Sequence, residues 1–225
     1  MSERFIRCEK LLGKEAMEKL QRAHVAVFGV GGVGGYAIEA LVRSGLGVID
    51  IIDKDIIEES NINRQIIANE KTIGLDKVEV MKNRILDINP DCKVTAHKIF
   101  FLPETSNLFD FKNYDYVIDA IDTIKGKIEL IKRAQNEGTK IISSMGAGNK
   151  LNPSKFEVSD IYKTSVCPLA RIMRGELKKI GIKKLKVVYS KETPIKTQDF
   201  VGSSAFCAPA MGLILAYEVI KDLIK

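Results

Sequence analysis

The sequence predicts a doubly wound, Rossmann-like α/β fold: a mainly parallel sheet with helices on both faces and a C-terminal helix. Three observations predict it. His24 to Asp55 reads as a buried strand, a glycine turn, a helix, and a second strand that ends in acid. Short apolar runs then alternate with helical stripes as far as Tyr189. The last apolar stretch, Ala208 to Ile224, mixes small residues with Leu213, Ile214, Leu215 and Val219, which suits a helix buried against the sheet or a partner subunit. With 225 residues, of which 45% are hydrophobic, the chain can bury a full α/β core as a single domain. Its parts are an N-terminal arm and helix (1–23), a nucleotide-binding core (24–150), and a C-terminal half with substrate or dimer elements (151–225).

Residues 3–22 read as a short arm plus a helix with Leu11, Leu12, Met17 and Leu20 apolar. Arg4 and Arg7 stand at its start, where a cation opposes the helix dipole, and the residues alone read as solvated surface. Val25 to Val30 is the first strand and runs straight into Gly29, Gly31, Gly32 and Gly34. Tyr36, Ala37, Ala40 and Leu41 give a helical stripe, and Val48 to Ile52 is the second strand. Asp53 follows where an acid bonds a ribose hydroxyl. The polar cluster of Ser60, Asn61, Asn63, Arg64 and Gln65 comes next, in a composition that a solvated loop would share.

A helix from about Leu75 to Asp87 carries Val78, Met81, Ile85 and Ile88 inward and stops at Asn89-Pro90. Lys77 in its first turn opposes the macrodipole unless an anion binds there, so it is either a tolerated surface lysine or a phosphate ligand. Cys92 to Ile99 and Tyr116 to Ala120 are the third and fourth strands, and Asp119 and Asp122 fall beyond the latter. Asp122 suits a helix cap ahead of Ile124 to Asn136, or a magnesium ligand near phosphates. Lys140 to Ser143 is a fifth strand, followed by the glycine loop SMGAGNK; Phe156 to Ile161 and Lys186 to Tyr189 are further strands. Pro168 to Ile180 is a basic helix with Arg171, Arg174, Lys178 and Lys179, followed by Lys183, Lys184 and Lys186. Such a run is a solvated face or a nucleic-acid contact. Ser190 to Ser204 is polar and reads as mobile.

Composition narrows the class. Lys and Arg outnumber Asp and Glu by 35 to 29, a surplus that suits a polyanionic partner without requiring one. The four cysteines (Cys8, Cys92, Cys167, Cys207) are dispersed, which argues against a thiolate zinc site and a disulfide framework. The charged N-terminus lacks a signal core, and the final apolar segment holds Glu218, Lys221 and Asp222, so no transmembrane segment is expected and the reading is cytoplasmic.

A strand–glycine loop–helix–strand–acid unit suits NAD or FAD as well as ATP. The remainder of the site does not resemble a dehydrogenase: His24 opens a strand and His97 lies within one, both structural by position. Asn61, Arg64, Lys77 and Asp122 instead supply what a triphosphate with a metal needs.

At these motifs the chain resembles a known family. GVGGVGG, IIDKDIIEESNINRQ, GLDKVEVMKNRILDINP and VIDAIDT are similar to those of the ubiquitin-activating-enzyme-like adenylating enzymes. RFIRCEKLLG, SVCPLARIMRGELKK and FCAPAMGLILAYEVIKDL resemble one branch, the tRNA threonylcarbamoyladenosine dehydratases. The resemblance implies that Gly29, Gly31, Gly32 and Gly34 shape the ATP loop and that Asp53 holds the ribose. It implies that Asn61, Arg64 and Lys77 hold the phosphates, that Asp122 coordinates magnesium, and that Ser60 lines the site. Arg7 matches an arginine that family members insert into the neighbouring subunit's ATP site, which implies a homodimer and reverses the solvated reading.

The implied reaction is adenylation of a carboxylate by ATP. In the dehydratase branch that carboxylate belongs to the threonylcarbamoyl group at adenosine 37 of tRNA, and cyclisation to an oxazolone follows. The alternative is activation of a ubiquitin-like sulfur carrier's C-terminal glycine. The absence of a CxxC pair disfavours it and leaves Cys167 as the one plausible thiol. A sulfur-transfer protein partner stays open. A non-catalytic nucleotide-binding scaffold is the third class, set against the full set of phosphate and metal candidates.

Overall fold

The computed structural model describes residues 3–198 and 200–225. One seven-stranded sheet runs through the molecule in the order β3-β2-β1-β4-β5-β7-β6. The strands are β1 (His24–Phe28), β2 (Val48–Ile52), β3 (Lys93–His97), β4 (Tyr116–Asp119), β5 (Lys140–Ser144), β6 (Phe156–Asp160) and β7 (Lys186–Ser190). Every pairing is parallel except β6 with β7. Strands β1, β4 and β7 are almost wholly buried and correspondingly apolar, as a sheet covered on both faces requires.

Two helical layers cover the sheet. On one face lie α3 (Gly34–Arg43), α4 (Lys77–Ile88) and α7 (Cys207–Leu223), joined to the sheet through one continuous core. On the other lie α5 (Ile124–Asn136) and α6 (Pro168–Lys179), with a cluster built on Phe28, Phe101, Phe109 and Phe111. In that cluster Phe28 meets Phe101 edge-on at 4.8 Å between centroids, a favoured arrangement of ring quadrupoles. Strand order reverses between β1 and β4, so the crevice beyond their carboxyl ends is the topological switch point.

The N-terminal arm is itself helical. Gly13, at φ 88°, separates α1 (Ile6–Leu12) from α2 (Lys14–Arg22), so the expected arm plus helix is a helical pair. Phe5, Met17 and Leu20 seal it against the C-terminal part of α7. Both histidines have structural roles. His24 and His97 reach the Asp50 carboxylate through Nε2 at 2.8 and 3.0 Å, and the Tyr114 hydroxyl donates to it at 3.1 Å. The polar segment expected to be mobile, of which residue 199 lies outside the described residues, is tied down near its end: Asn149 N–H donates to the Gly202 carbonyl at 2.8 Å, and Asn63 Nδ2 to that of Ser203 at 3.1 Å. Among the described residues, no helix is long and apolar enough to cross a membrane.

Candidate active site

The glycine loop takes its shape from contact with its neighbours. At Gly29 the chain leaves β1 with φ 96°, and a Cβ there would lie 2.5 Å from the Ala120 carbonyl oxygen. A Cβ on Gly34 would overlap the Gly29 carbonyl, so α3 can start against the strand end only without a side chain. Gly32 is hemmed by Ala208 and Arg64, whereas a Cβ on Gly31 would meet nothing nearer than Gln65 Nε2 at 3.8 Å. Gly29, Gly32 and Gly34 therefore build the loop, and Gly31 is its open side. The cap of α3 is Val33, which has no side-chain oxygen to offer; Gly35 N–H is taken by the Gly31 carbonyl at 2.9 Å, which leaves the Gly34 and Tyr36 amides of the first turn for an anion.

Asp53 closes the loop from β2. Its Oδ2 accepts from Val30 N–H at 2.7 Å and its Oδ1 from Asp55 N–H at 2.9 Å. Beyond it, residues 55–57 bridge to 74–77, with Ile57 N–H on the Leu75 carbonyl at 2.8 Å and Lys77 N–H on that of Asp55 at 3.1 Å. That bridge carries Lys77 inward. It is the first residue of α4, yet it is buried and its Nζ lies 3.2 Å from Asp55 Oδ2. Burial works against the Asp55 charge, but hydrogen bonds and fields from Lys54 and Lys77 outweigh it and hold the carboxyl below the usual range. The tolerated-surface reading of Lys77 is excluded by its burial.

The polar cluster folds on itself. Asn61 is buried; its Oδ1 accepts from Glu58 N–H at 3.2 Å and its Nδ2 donates to Ser60 Oγ at 3.3 Å. One guanidinium nitrogen of Arg64 donates to the Ser60 carbonyl and to Asn63 Oδ1, each at 2.8 Å, which orients the group and leaves its other donors uncommitted.

Asp122 is exposed and makes no hydrogen bond or ion pair among the described residues. It does not cap α5, whose cap is Thr123, again without a side-chain bond. The hydrogen bond to Asp55, followed by the fields of Asp55, Asp53 and Asp122, raises the proton affinity of the exposed Lys54. Asp119, also expected at this edge, belongs to the interior: it is fully buried and pairs with the equally buried Lys127 at 3.0 Å, while the Ser143 hydroxyl donates to its other oxygen.

Arg7 is not brought to these residues. It is exposed on α1, and the neighbouring Cys8 thiol contacts the Arg43 carbonyl at the far end of α3 from the glycine loop. Cys167 is buried at 2% exposure, so it is no accessible nucleophile. The sequence reading singled out neither Lys127 nor the acceptor on Gln65, whose buried Oε1 has no partner among the described residues. Lys127 was detectable as a lysine within the apolar stripe of α5; nothing in the sequence marks the Gln65 oxygen as orphaned.

A switch-point glycine loop, with Asp53 just past the next strand, is the setting of a nucleotide-activating enzyme of the adenylating class. The chain belongs to the ThiF family, whose family model matches residues 3–225. It is 44% identical over its whole length, and over 96% of the relative, to the tRNA threonylcarbamoyladenosine dehydratase of Bacillus subtilis. The Escherichia coli protein of that name is 40% identical over 78% of this chain and 66% of its own length. The Escherichia coli dehydratase solved in complex with ATP matches at TM-score 0.94 and 34% identity, covering 99% of this chain and 94% of that one.

Proposed function

We propose that the chain dehydrates N6-threonylcarbamoyladenosine at position 37 of tRNA to its cyclic oxazolone, using ATP to adenylate the carboxylate. The observation that carries this reading is the coincidence of a full-length dehydratase likeness with an ATP-type crevice that holds no accessible thiol.

A carboxylate oxygen is a poor leaving group. Attack of the threonyl carboxylate on the α-phosphorus of ATP forms the acyl–phosphate bond, breaks the α–β phosphoanhydride and releases pyrophosphate. The ureido oxygen of the same group then attacks the activated carbonyl carbon, AMP departs with the bonding pair, and the adjacent ureido N–H gives up its proton. Because this nucleophile is intramolecular, its effective concentration replaces an enzyme thiol. The chain's own residues orient and neutralise. Asp53 holds the ribose while bracing the loop, and the unpartnered Gln65 Oε1 can accept from a ligand donor beside Gly31. Arg64 and Lys77 lie against the phosphates, where preorganised cations stabilise the charge that develops on them; Asn61 and Ser60 line the same wall.

Magnesium fits the donor set. Asp122 offers a free, exposed carboxylate of the kind a hard cation takes alongside phosphate oxygens, and this ion commonly uses one or two carboxylates rather than a protein cage. When bound, the ion supplies Lewis-acid neutralisation of the phosphates. The enzyme works as a homodimer, each subunit lending Arg7 across to its partner's site, and acts in the cytoplasm.

The test is nucleoside mass spectrometry of tRNA bearing threonylcarbamoyladenosine after incubation with protein, ATP and magnesium. The expected product has lost one water, with stoichiometric AMP and pyrophosphate. Pyrophosphate exchange that requires a ubiquitin-like protein instead of tRNA would establish the sulfur-carrier reading.

A further inference from the structure

Cations outside the adenylation crevice form a track across the molecule, and we propose that it binds the phosphate backbone of the tRNA. This rests on the tRNA reading above and adds the surface that receives the nucleic acid.

The track starts at the site's own edge of the sheet. A Cβ on Gly146, just past the carboxyl end of β5, would lie 3.5 Å from Cys167 Sγ and 4.0 Å from Leu169 Cβ, so α6 begins there. It packs beside α5, the helix that follows Asp122. From there α6 runs down the molecule, and the chain re-enters the sheet at the opposite edge, where Lys186 pairs with Asp160. Arg171 and Lys178 are two helical turns apart and so share one face. Both are exposed, and neither makes a side-chain hydrogen bond or ion pair among the described residues. Arg174, between them, is not part of this face: its guanidinium donates to the Thr164 carbonyl at 3.0 Å and to the Thr164 hydroxyl.

Past the helix the track enters a depression at the amino ends of β4, β5 and β7, lined by Lys140, Lys183, Lys184, Lys186 and Lys225. Asp222 is the one acid in that lining, and it is taken by Lys186 at 2.5 Å and by Lys225 at 3.4 Å; Lys186 pairs with Glu218 at 3.2 Å as well, so these two lysines are compensated. Lys183 and Lys184 carry no counter-charge among the described residues, and Lys140 only touches the Asp222 carbonyl at 3.5 Å. Uncompensated like charges gathered along one path disfavour the free protein and favour a polyanion. The path runs from the exposed face of α6 into a depression at the sheet's amino edge, and the dehydratase likeness makes tRNA the polyanion it receives.

The experiment compares wild type with Lys183→Glu/Lys184→Glu and with Lys71→Glu/Lys93→Glu, which makes the same charge change at exposed lysines off the track. Full-length tRNA affinity is measured across a salt series, alongside ATP affinity and turnover of modified tRNA. The expected result is a tRNA affinity at least about tenfold weaker for the first variant, with a salt slope shallower by roughly 1 to 2, and unchanged ATP affinity. Equal losses in both variants, or unchanged tRNA affinity in the first, would overturn the track. So would vesicles of anionic phospholipid that bind wild type and lose only the first variant while its tRNA affinity stays intact. Turnover by wild type with any of these results refutes the track alone; absence of turnover by wild type refutes the tRNA reading beneath it.

Discussion

Asp122 lies on the connection between β4 and α5 and Lys127 in the first turn of α5, and opposite physics applies to each. Asp122 is exposed and unpaired, so its removal leaves the fold untouched: Asp122→Ala should melt within about 0.5 kcal/mol of wild type. Its adenylation rate, followed as AMP release, should fall by about 10² or more, the scale of losing one preorganised electrostatic group. Full activity would remove Asp122 from the metal role. Lys127 is buried against Asp119, and Lys127→Met would strand a charged carboxylate in the core. Urea denaturation should show about 3–5 kcal/mol lost, with most of it restored when Asp119→Asn is added. An equally destabilised double variant would contradict the pairing account.

The residue scale also sets the acid response. Burial raises the cost of charging Asp50, yet hydrogen bonds from His24, His97 and Tyr114 outweigh it and hold the carboxyl far below the ordinary range. A depressed carboxylate pKa contributes stability above the unfolded value near 4, and that stability drains as pH falls toward the folded value. Wild type should therefore exceed Asp50→Asn in urea midpoint at pH 7, with the gap closing below about pH 4. A gap that does not narrow at all between about pH 4 and pH 2.5 would show that the stabilisation is not tied to this charge.

At the scale of elements, the glycine loop, the Ile56–Asp76 bridge and the start of α3 form one assembly. Gly34→Ala must push apart β1 and α3, at an overpacking cost of about 1–3 kcal/mol, and thermal melts should show it with or without ATP. Gly31→Ala has room in the apo protein, so its melting temperature should stay near wild type and only the shift produced by ATP should shrink. If the two variants behaved alike, the division between building glycines and an open glycine would fail. Helix α6 shows how an element sorts charges that look equivalent in sequence. Arg171 and Lys178 face outward, whereas Arg174 turns back to Thr164 and serves the fold.

At the scale of the molecule, Arg7 and Lys77 stand on opposite sides of one chain, and a site that uses both must draw on two chains. Mixing Arg7→Ala with Lys77→Ala protein should restore about a quarter of wild-type AMP formation, since random reassortment makes half the dimers mixed and gives each one intact site. Failure to recover activity after exchange of subunits would count against the crossing arginine.

The strand and helix order, the glycine turn, Asp53 and the polar cluster were legible in the sequence because each rests on local chemistry. Apolar period, backbone freedom at glycine and the acid after a strand are written within a few residues of one another. Only the tertiary structure decided the burial of Lys77 on Asp55, the withdrawal of Asp119 to Lys127, the orphaned oxygen of Gln65 and the parting of Arg171 from Arg174. Each of those outcomes depends on which side chains from distant strands and loops share a low-dielectric space. The sequence by itself determined that this chain folds as a doubly wound sheet around a nucleotide loop; which of its charges stay exposed and which are consumed inside was settled by packing, because a charge buried without a partner costs more than any local preference can offset.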